Sequence, residues 1–276
     1  MRLGILQLNV SDDPAANLSG TLDMVEQAAR AGAVLIATPE VTNCVSTSRK
    51  RQIEMLRQQD DDPTLAALRQ AANTHGVWLL IGSLALKTGD PDGRFANRSF
   101  LIDSKGQIAA WYDKIHMFDV TISDSEAYHE SKGYRPGDRA VVTDTPFGKI
   151  GLTICYDMRF PALYRTLAQA GARIISAPSA FSPVTGDAHW ESLLRARAIE
   201  TGCFVIAPAQ TGTHAAKSGK SRTTYGHSMV VSPWGQVLLD AGTKPGISVL
   251  DMDLEEVNKA RQRVPSLEHD RPYTLD

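Results

Sequence analysis

The 276-residue sequence predicts an α/β protein in which a pair of mixed sheets is covered by helices. Three observations predict it. Strand-like apolar runs alternate with helix-periodic segments through the first third of the chain. Short turns then join neighbouring strands into hairpins, which a uniform parallel barrel would not contain. Finally, 42% hydrophobic residues with no composition break, linker or repeat predict a single domain over residues 1–276.

Residues 2–10 read as the first strand. Residues 17–30 form a helix with Leu18, Leu22 and Val25 on one face and Gly32 beyond its end. Residues 33–37 are the next strand and run into Thr38-Pro39-Glu40. Polar residues 42–62 predict a loop and a short helix, and Pro63 starts a second helix that stops before Gly76. Strands follow at 77–83, 97–102 and 107–112, the last two joined by the turn DSKG, with Lys114 just beyond. Residues 117–138, rich in Asp, Ser, Glu and Gly, predict a long loop, and loops of that length in a compact domain are usually functional. Strands at 141–145 and 149–154 turn about Pro146-Phe147-Gly148 and deliver Cys155.

Pro161 then opens a helix that ends at Gly171, and residues 172–177 are a further strand. Residues 181–187 read as a loop, and 188–201 as a helix whose Trp190, Leu193, Leu194 and Ala198 make one apolar stripe. A strand at 203–208 precedes a polar, basic loop at 212–224. Strands at 227–232 and 236–239 flank Pro233-Trp234-Gly235, and a strand at 247–251 and a helix from Leu254 close the fold. The tail 265–276 is too polar for core and is expected to pack on another subunit.

A formal net charge of −2 gives no electrostatic case for nucleic acid or an anionic membrane as partner. No apolar run reaches membrane-spanning length. Three cysteines, Cys44, Cys155 and Cys203, without CxxC spacing argue against a disulfide framework or a thiolate zinc site, and predict a cytoplasmic protein. Met1 leads straight into a strand-like segment without a signal-peptide cleavage site, in keeping with that reading. The sequons at Asn17 and Asn97 are then chance matches.

Three strand ends offer reactive side chains: Glu40, Lys114 and Cys155. Strand ends of an α/β sheet line one crevice, so residues far apart in sequence can converge there. A cysteine nucleophile needs a base and a developing oxyanion needs a cation, which gives Glu40 and Lys114 their roles. A helix start beside Cys155 would also depress its pKa. The alternatives are a packed cysteine, a capping carboxylate and a solvated amine.

ATPEVTN around Glu40, YDKIHMFD around Lys114 and LTICYDMRFP around Cys155, in that order, resemble the three catalytic blocks of the nitrilase superfamily, the carbon-nitrogen hydrolases. CYDMRFP followed by PSAFSPVTGDAHWESLLRARAIET and YGHSMVVSPWG is similar to the branch that hydrolyses deaminated glutathione, with the α-ketoglutaramate ω-amidases nearby. Tyr156-Asp157 after the cysteine, where nitrile-cleaving chains carry Trp-Glu, points to amides. The resemblance implies a four-layer αββα sandwich, a homodimer joined partly by the helix after the nucleophile, and a small-molecule amide substrate. It also implies hydrolysis to acid and ammonia through a Cys155 thioester, with no metal or cofactor.

Glu130 stands where the family has a second glutamate that positions the lysine and substrate, its equally open alternative being a surface residue of a polar loop. Arg159 is a candidate clamp for a substrate carboxylate, its alternative being a structural ion pair. Phe181, Thr185 and Trp190 resemble the pocket-lining segment, with core packing equally open for Trp190. The longer basic loop at 212–224 departs from the family pattern. His116, His189 and His227 lack metal spacing and read as satisfied histidines, while Gly212–Ser221 fails the phosphate-loop spacing. Arg195, Arg197 and the basic residues of 217–222 read as a solvated face. A non-catalytic binding module of the same family is the competing class, and the intact Glu40, Lys114 and Cys155 set speaks against it.

Overall fold

The computed structural model describes residues 1–123 and 126–276. In chain order, β1 (Arg2–Gln7), α1 (Pro14–Arg30), β2 (Leu35–Ala37), α2 (Arg49–Met55), α3 (Pro63–His75) and β3 (Trp78–Lys87) come first. A meander of β4 (Phe95–Ile102) and β5 (Ile108–Asp113) follows, then a ribbon of β6 (Asp119–Ser123) and β7 (Glu126–His129). The second half holds β8 (Val141–Thr143), β9 (Ile150–Leu152), α4 (Pro161–Gln169), β10 (Ile174–Ser176), α5 (Pro183–Thr201) and β11 (Phe204–Ala207). It closes with β12 (Thr211–Thr213), β13 (Thr223–Tyr225), β14 (Met229–Val231), β15 (Val237–Asp240), β16 (Gly246–Asp251) and α6 (Glu255–Arg263).

Among the described residues, two six-stranded mixed sheets result, in the orders β16-β1-β2-β3-β4-β5 and β15-β14-β11-β10-β9-β8. Side-chain alternation sets the layers. A Cβ on Gly4 would meet Ala28 of α1 at 3.1 Å, so Leu3 and Ile5 point the other way, into the core between the sheets. A Cβ on Gly151 would meet Leu167 of α4 at 3.2 Å, so Ile150 and Leu152 face the first sheet in the same core. Helices α1 and α3 cover the outer face of the first sheet through Val25, Leu65, Leu68 and Ala72. Helices α4 and α5 cover the second through Tyr164, Leu167, Leu194 and Ala198. The molecule is therefore a four-layer αββα sandwich.

Helix starts follow their caps. Asp13 and Asp62 accept from the Ala16 and Leu65 backbone N–H groups ahead of prolines that open α1 and α3. Helix α5 departs from the expected start at residue 188, because it begins at Pro183 and absorbs most of the expected 181–187 loop. Gly186 misleads there. A Cβ at that position would lie 2.3 Å from the Tyr225 ring, so glycine serves packing inside a helix and not a turn. The expected 117–138 loop also contains the β6–β7 ribbon, although Asp124 and Ser125 lie outside the described residues. Strand β3 runs four residues beyond the expected end at Ser83, past a register shift between Ile81 and Leu84.

Candidate active site

Glu40 sits just past β2, in a turn made possible by a glycine on the neighbouring strand. A Cβ on Gly82 would lie 2.0 Å from the Thr38 carbonyl oxygen and 2.5 Å from that of Pro39, so only glycine lets the 38–40 segment cross β3 this closely. Val41 follows at φ +50°, with its N–H donated to Ser83 Oγ at 2.7 Å. Lys114 leaves the end of β5, and its N–H donates to the Asn97 carbonyl at 3.0 Å. Cys155 follows β9 at φ +50°, its N–H donated to the Pro178 carbonyl at 2.9 Å. Left-handed backbone at non-glycine residues is costly, and here it sits beside both Glu40 and the thiol.

These ends converge on one cavity of about 490 Å³. Lys114 Nζ donates to Glu40 Oε1 at 3.0 Å and to Glu130 Oε1 and Oε2 at 3.1 and 2.9 Å. Asn97 Nδ2 bridges the same two carboxylates, at 2.9 Å to Glu40 and 3.3 Å to Glu130. The Ala180 N–H donates to Glu40 Oε2 at 2.8 Å, and the Phe118 N–H to Glu130 Oε2 at 2.6 Å. Every carboxylate oxygen of the pair thus has a donor.

Burial by itself would raise the Glu40 pKa, but the Lys114 charge, then Arg222 and the hydrogen bonds, hold it below the usual carboxylate range. Burial likewise works against the Lys114 ammonium, and the Glu130 and Glu40 charges overcome it, leaving the lysine protonated well above its ordinary range. Burial first, and the Glu40 charge next, push the Cys155 thiol up to about 12 against the pull of Lys114. The depressed thiol pKa expected from a helix start is therefore overturned. Cys155 opens a five-residue 3-10 turn, not an α-helix, and desolvation in the cavity outweighs any dipole. The resting pair is a carboxylate beside a thiol, which suits proton transfer from sulfur to Glu40 during attack.

Beneath Cys155, fully buried Asp157 holds the turn. It accepts from the Ile154 N–H at 2.8 Å, the Tyr112 hydroxyl at 2.7 Å and the His116 N–H at 3.0 Å, and pairs with His116 Nδ1 at 2.7 Å. The His116 ring stacks on Phe160, so this histidine is structural.

Tyr156, Phe181 and Thr185 line the cavity, whereas Arg159 does not. In a 3-10 turn residues three apart share a face, so Arg159 stands above Tyr156 and is turned about 120° from Cys155. Its guanidinium lies 5.9 Å from the Tyr156 ring and 5.6 Å from that of Phe181, with Nη2 3.3 Å from His189 Nδ1. Trp190 is core, its indole N–H donated to the His227 carbonyl at 2.8 Å. Arg197, expected in a solvated face, is buried and donates to the Met158 carbonyl at 2.7 Å. Sequence reasoning missed Asn97, the Ala180 N–H and the cavity-lining Arg222. Asn97 carried only a sequon, and its burial leaves no room for a glycan.

The sequence profile of the carbon-nitrogen hydrolase family matches residues 2–262. This chain belongs to the carbon-nitrogen hydrolase family. Its similarity to individual carbon-nitrogen hydrolases spans nearly its whole length. Deaminated glutathione amidase of Yersinia enterocolitica is 39% identical, with 98% of this chain and 92% of the relative aligned. The enzyme of that name from Mus musculus is also 39% identical, over 98% and 83%. Among solved structures, yeast Nit3, a member of branch 10 of the nitrilase superfamily, superposes with a TM-score of 0.83 at 29% identity, covering 98% of this chain and 96% of that one. A glutamate-to-glutamine mutant of an amidase from Nesterenkonia sp. AN1, in which acrylamide has added to the active-site cysteine, gives 0.77 at 25% identity, covering 96% and 98%.

Proposed function

We propose that this carbon-nitrogen hydrolase is a thiol amidase that cleaves the ω-amide of a small carboxylate-bearing substrate, deaminated glutathione in the first place. The observation that carries the proposal is the Glu40–Lys114–Glu130 network, with Glu40 and Lys114 buried, sharing one cavity with Cys155. The names of the relatives support the substrate. The alternative is α-ketoglutaramate, which shares the same acyl group.

In this reading Glu40 takes the Cys155 proton as sulfur attacks the amide carbonyl. The oxyanion faces Lys114 Nζ and the Tyr156 backbone N–H. Glu40 then protonates the departing nitrogen, leaving a thioester. A water deprotonated by Glu40 hydrolyses it, and Cys155 regains its proton. Glu130 and Asn97 keep Lys114 and Glu40 in register throughout. Every proton is carried by Glu40, Cys155 or water, so the sequence of steps calls for no metal or cofactor. The amine released is ammonia from α-ketoglutaramate, and cysteinylglycine from deaminated glutathione, whose amide nitrogen belongs to that dipeptide.

The test is side-by-side turnover of deaminated glutathione, α-ketoglutaramate, glutamine and a simple nitrile by the wild type and Cys155→Ala. Wild-type preference for the first two, abolished in the variant, is expected. Preference for the nitrile, or near-normal amide hydrolysis by Cys155→Ala, would overturn the proposal.

A homodimer and a cytoplasmic location belong to the same proposal. The dimer is supported by exposed Ile199, Trp234 and Val264 on adjoining surface elements, and light scattering on the purified protein tests it. The location is supported by three buried free cysteines. Among the described residues no helix is long and apolar enough to cross a membrane.

A further inference from the structure

The basic segment 212–224 carries a cation into the catalytic cavity. It leaves and returns as the β12–β13 ribbon and is pinned on both sides. Buried His214 meets the Val10 carbonyl through Nδ1 at 2.7 Å and Thr224 Oγ1 through Nε2 at 2.8 Å. Asp12 accepts from the backbone N–H groups of Lys217 and Ser218 at 2.9 and 3.2 Å. Thr47, in the cavity wall, donates to the Lys220 carbonyl at 2.7 Å. The segment is thus a fixed part of that wall, and Arg222 lines the cavity from it.

Arg222 is under-used. Its Nη2 donates to the Ala180 carbonyl at 2.5 Å, while its Nε–H is buried without an acceptor. Among the described residues no carboxylate lies within ion-pairing distance of it. The neighbouring cations are engaged elsewhere. Lys114 is held by Glu40 and Glu130, Arg49 by the Gly133 and Gly93 carbonyls, and Arg159 stands outside the cavity beside His189. A cavity-lining guanidinium without a carboxylate partner keeps terminal donors for one, and a carboxylate matches its planar fork best.

Resting on the amidase reading above and deepening it, we infer that Arg222 is the specificity residue that seats the acyl-end carboxylate of the substrate through the terminal guanidinium donors that Ala180 does not use. The acyl end is favoured over the leaving amine by proximity to the base. Ala180 gives its N–H to Glu40 and its carbonyl to Arg222, so base and clamp grip opposite groups of one residue, a span suited to a short acyl chain. The Tyr128 ring, 5.8 Å from the guanidinium, forms the wall behind it. Arg159 is thereby replaced as the candidate clamp.

Two probes of equal chain length isolate the contact: glutaramate, which ends in a carboxylate, and valeramide, which ends in a methyl. The wild type should prefer glutaramate. In Arg222→Met the ratio of the two kcat/KM values should fall about 10- to 100-fold, chiefly through the KM for glutaramate. Arg222→Lys, with charge but no fork, should lie between and also serves if the methionine variant does not fold. Titration calorimetry in a Cys155→Ala background reads the same contact without turnover, with glutaramate binding expected to weaken on adding either Arg222 change. A preference ratio and a glutaramate affinity both indifferent to Arg222 would overturn the inference while amide turnover leaves the amidase reading standing. Arg222-dependent binding without wild-type turnover of either amide would keep the clamp and overturn the amidase reading. Weakened turnover of deaminated glutathione with α-ketoglutaramate unaffected would place the contact on the leaving group and overturn the acyl-end assignment.

Discussion

Replacing Asn97 with leucine removes one amide donor from between the buried Glu40 and half-buried Glu130 carboxylates while nearly conserving side-chain volume. Nδ2 stands 2.9 Å from Glu40 Oε1 and 3.3 Å from Glu130 Oε1. A hydrogen bond to a charged group contributes about 1.5–3 kcal/mol, and the longer contact adds less. If about 2–3 kcal/mol of that acts on the reacting geometry, kcat/KM falls roughly 30- to 150-fold. Stability should respond differently. Asn97 Oδ1 is buried without a partner, so leucine also removes an unsatisfied acceptor that costs about 1–3 kcal/mol. The two effects offset to within about 1 kcal/mol, a melting shift of about 2–4 °C. The Asn97 bond also helps to hold the Glu40 pKa down, so its loss moves the acid limb of the kcat/KM profile to higher pH. Steady-state hydrolysis of glutaramate across pH, with a thermal melt, measures all three. Unchanged kcat/KM, or a loss accompanied by a melting drop beyond roughly 8 °C, would refute the reasoning, since the second is what a purely structural residue gives.

Three further expectations follow from the same geometry. Because Cys155 stays a thiol until about 12, its alkylation by iodoacetamide near pH 7 should rely on Glu40 as base, outpacing Cys44 and Cys203 and slowing about tenfold or more in Glu40→Gln. Peptide mapping by mass spectrometry reads this, and equal rates at all three cysteines would sink it. Glu40 has a depressed pKa in the folded state, so it contributes stability above the ordinary glutamate range that is lost as pH falls through the folded value. The urea midpoint should therefore drop as pH falls below about 5, and by less in Glu40→Gln; identical pH slopes in the two proteins would contradict the assignment. Asp157→Ala leaves the Ile154 and His116 N–H groups and the Tyr112 hydroxyl without their acceptor, at a cost of about 3–5 kcal/mol or roughly 6–20 °C in melting temperature, and a shift under about 3 °C would be incompatible with the arrangement.

Glu40, Lys114 and Cys155 were legible in the sequence because each ends an apolar run, and strand ends of a sheet share an edge. Backbone groups were not. The Ala180 N–H carries no side-chain signal, yet it fixes Glu40. Asn97 was hidden because an amide on a strand looks the same whether it faces solvent or a carboxylate. Arg222 was hidden by its neighbours: a segment with Lys217 and Lys220 reads as solvated, and only the His214 and Asp12 anchors turn one of its cations inward. Arg159 is the opposite case, a candidate from the sequence that does not line the cavity. A four-residue offset from Cys155 would share its face in an α-helix and does not in a 3-10 turn, a distinction that a five-residue segment cannot show in its residue pattern.

Glu40 and Lys114 hang from the first sheet, and Cys155 and Ala180 from the second. In the proposed reaction, a proton passed between sulfur and carboxylate therefore crosses the seam of the sandwich. Neither half of the chain holds both partners, and Gln210 pins the seam at this point by donating to the Glu40 carbonyl at 3.1 Å. Turnover is in effect a ruler laid across the gap between the sheets. A core change at Leu101 or Ile174, remote from any reacting atom, that slides one sheet by a few tenths of an ångström would register there before it registers in a melt.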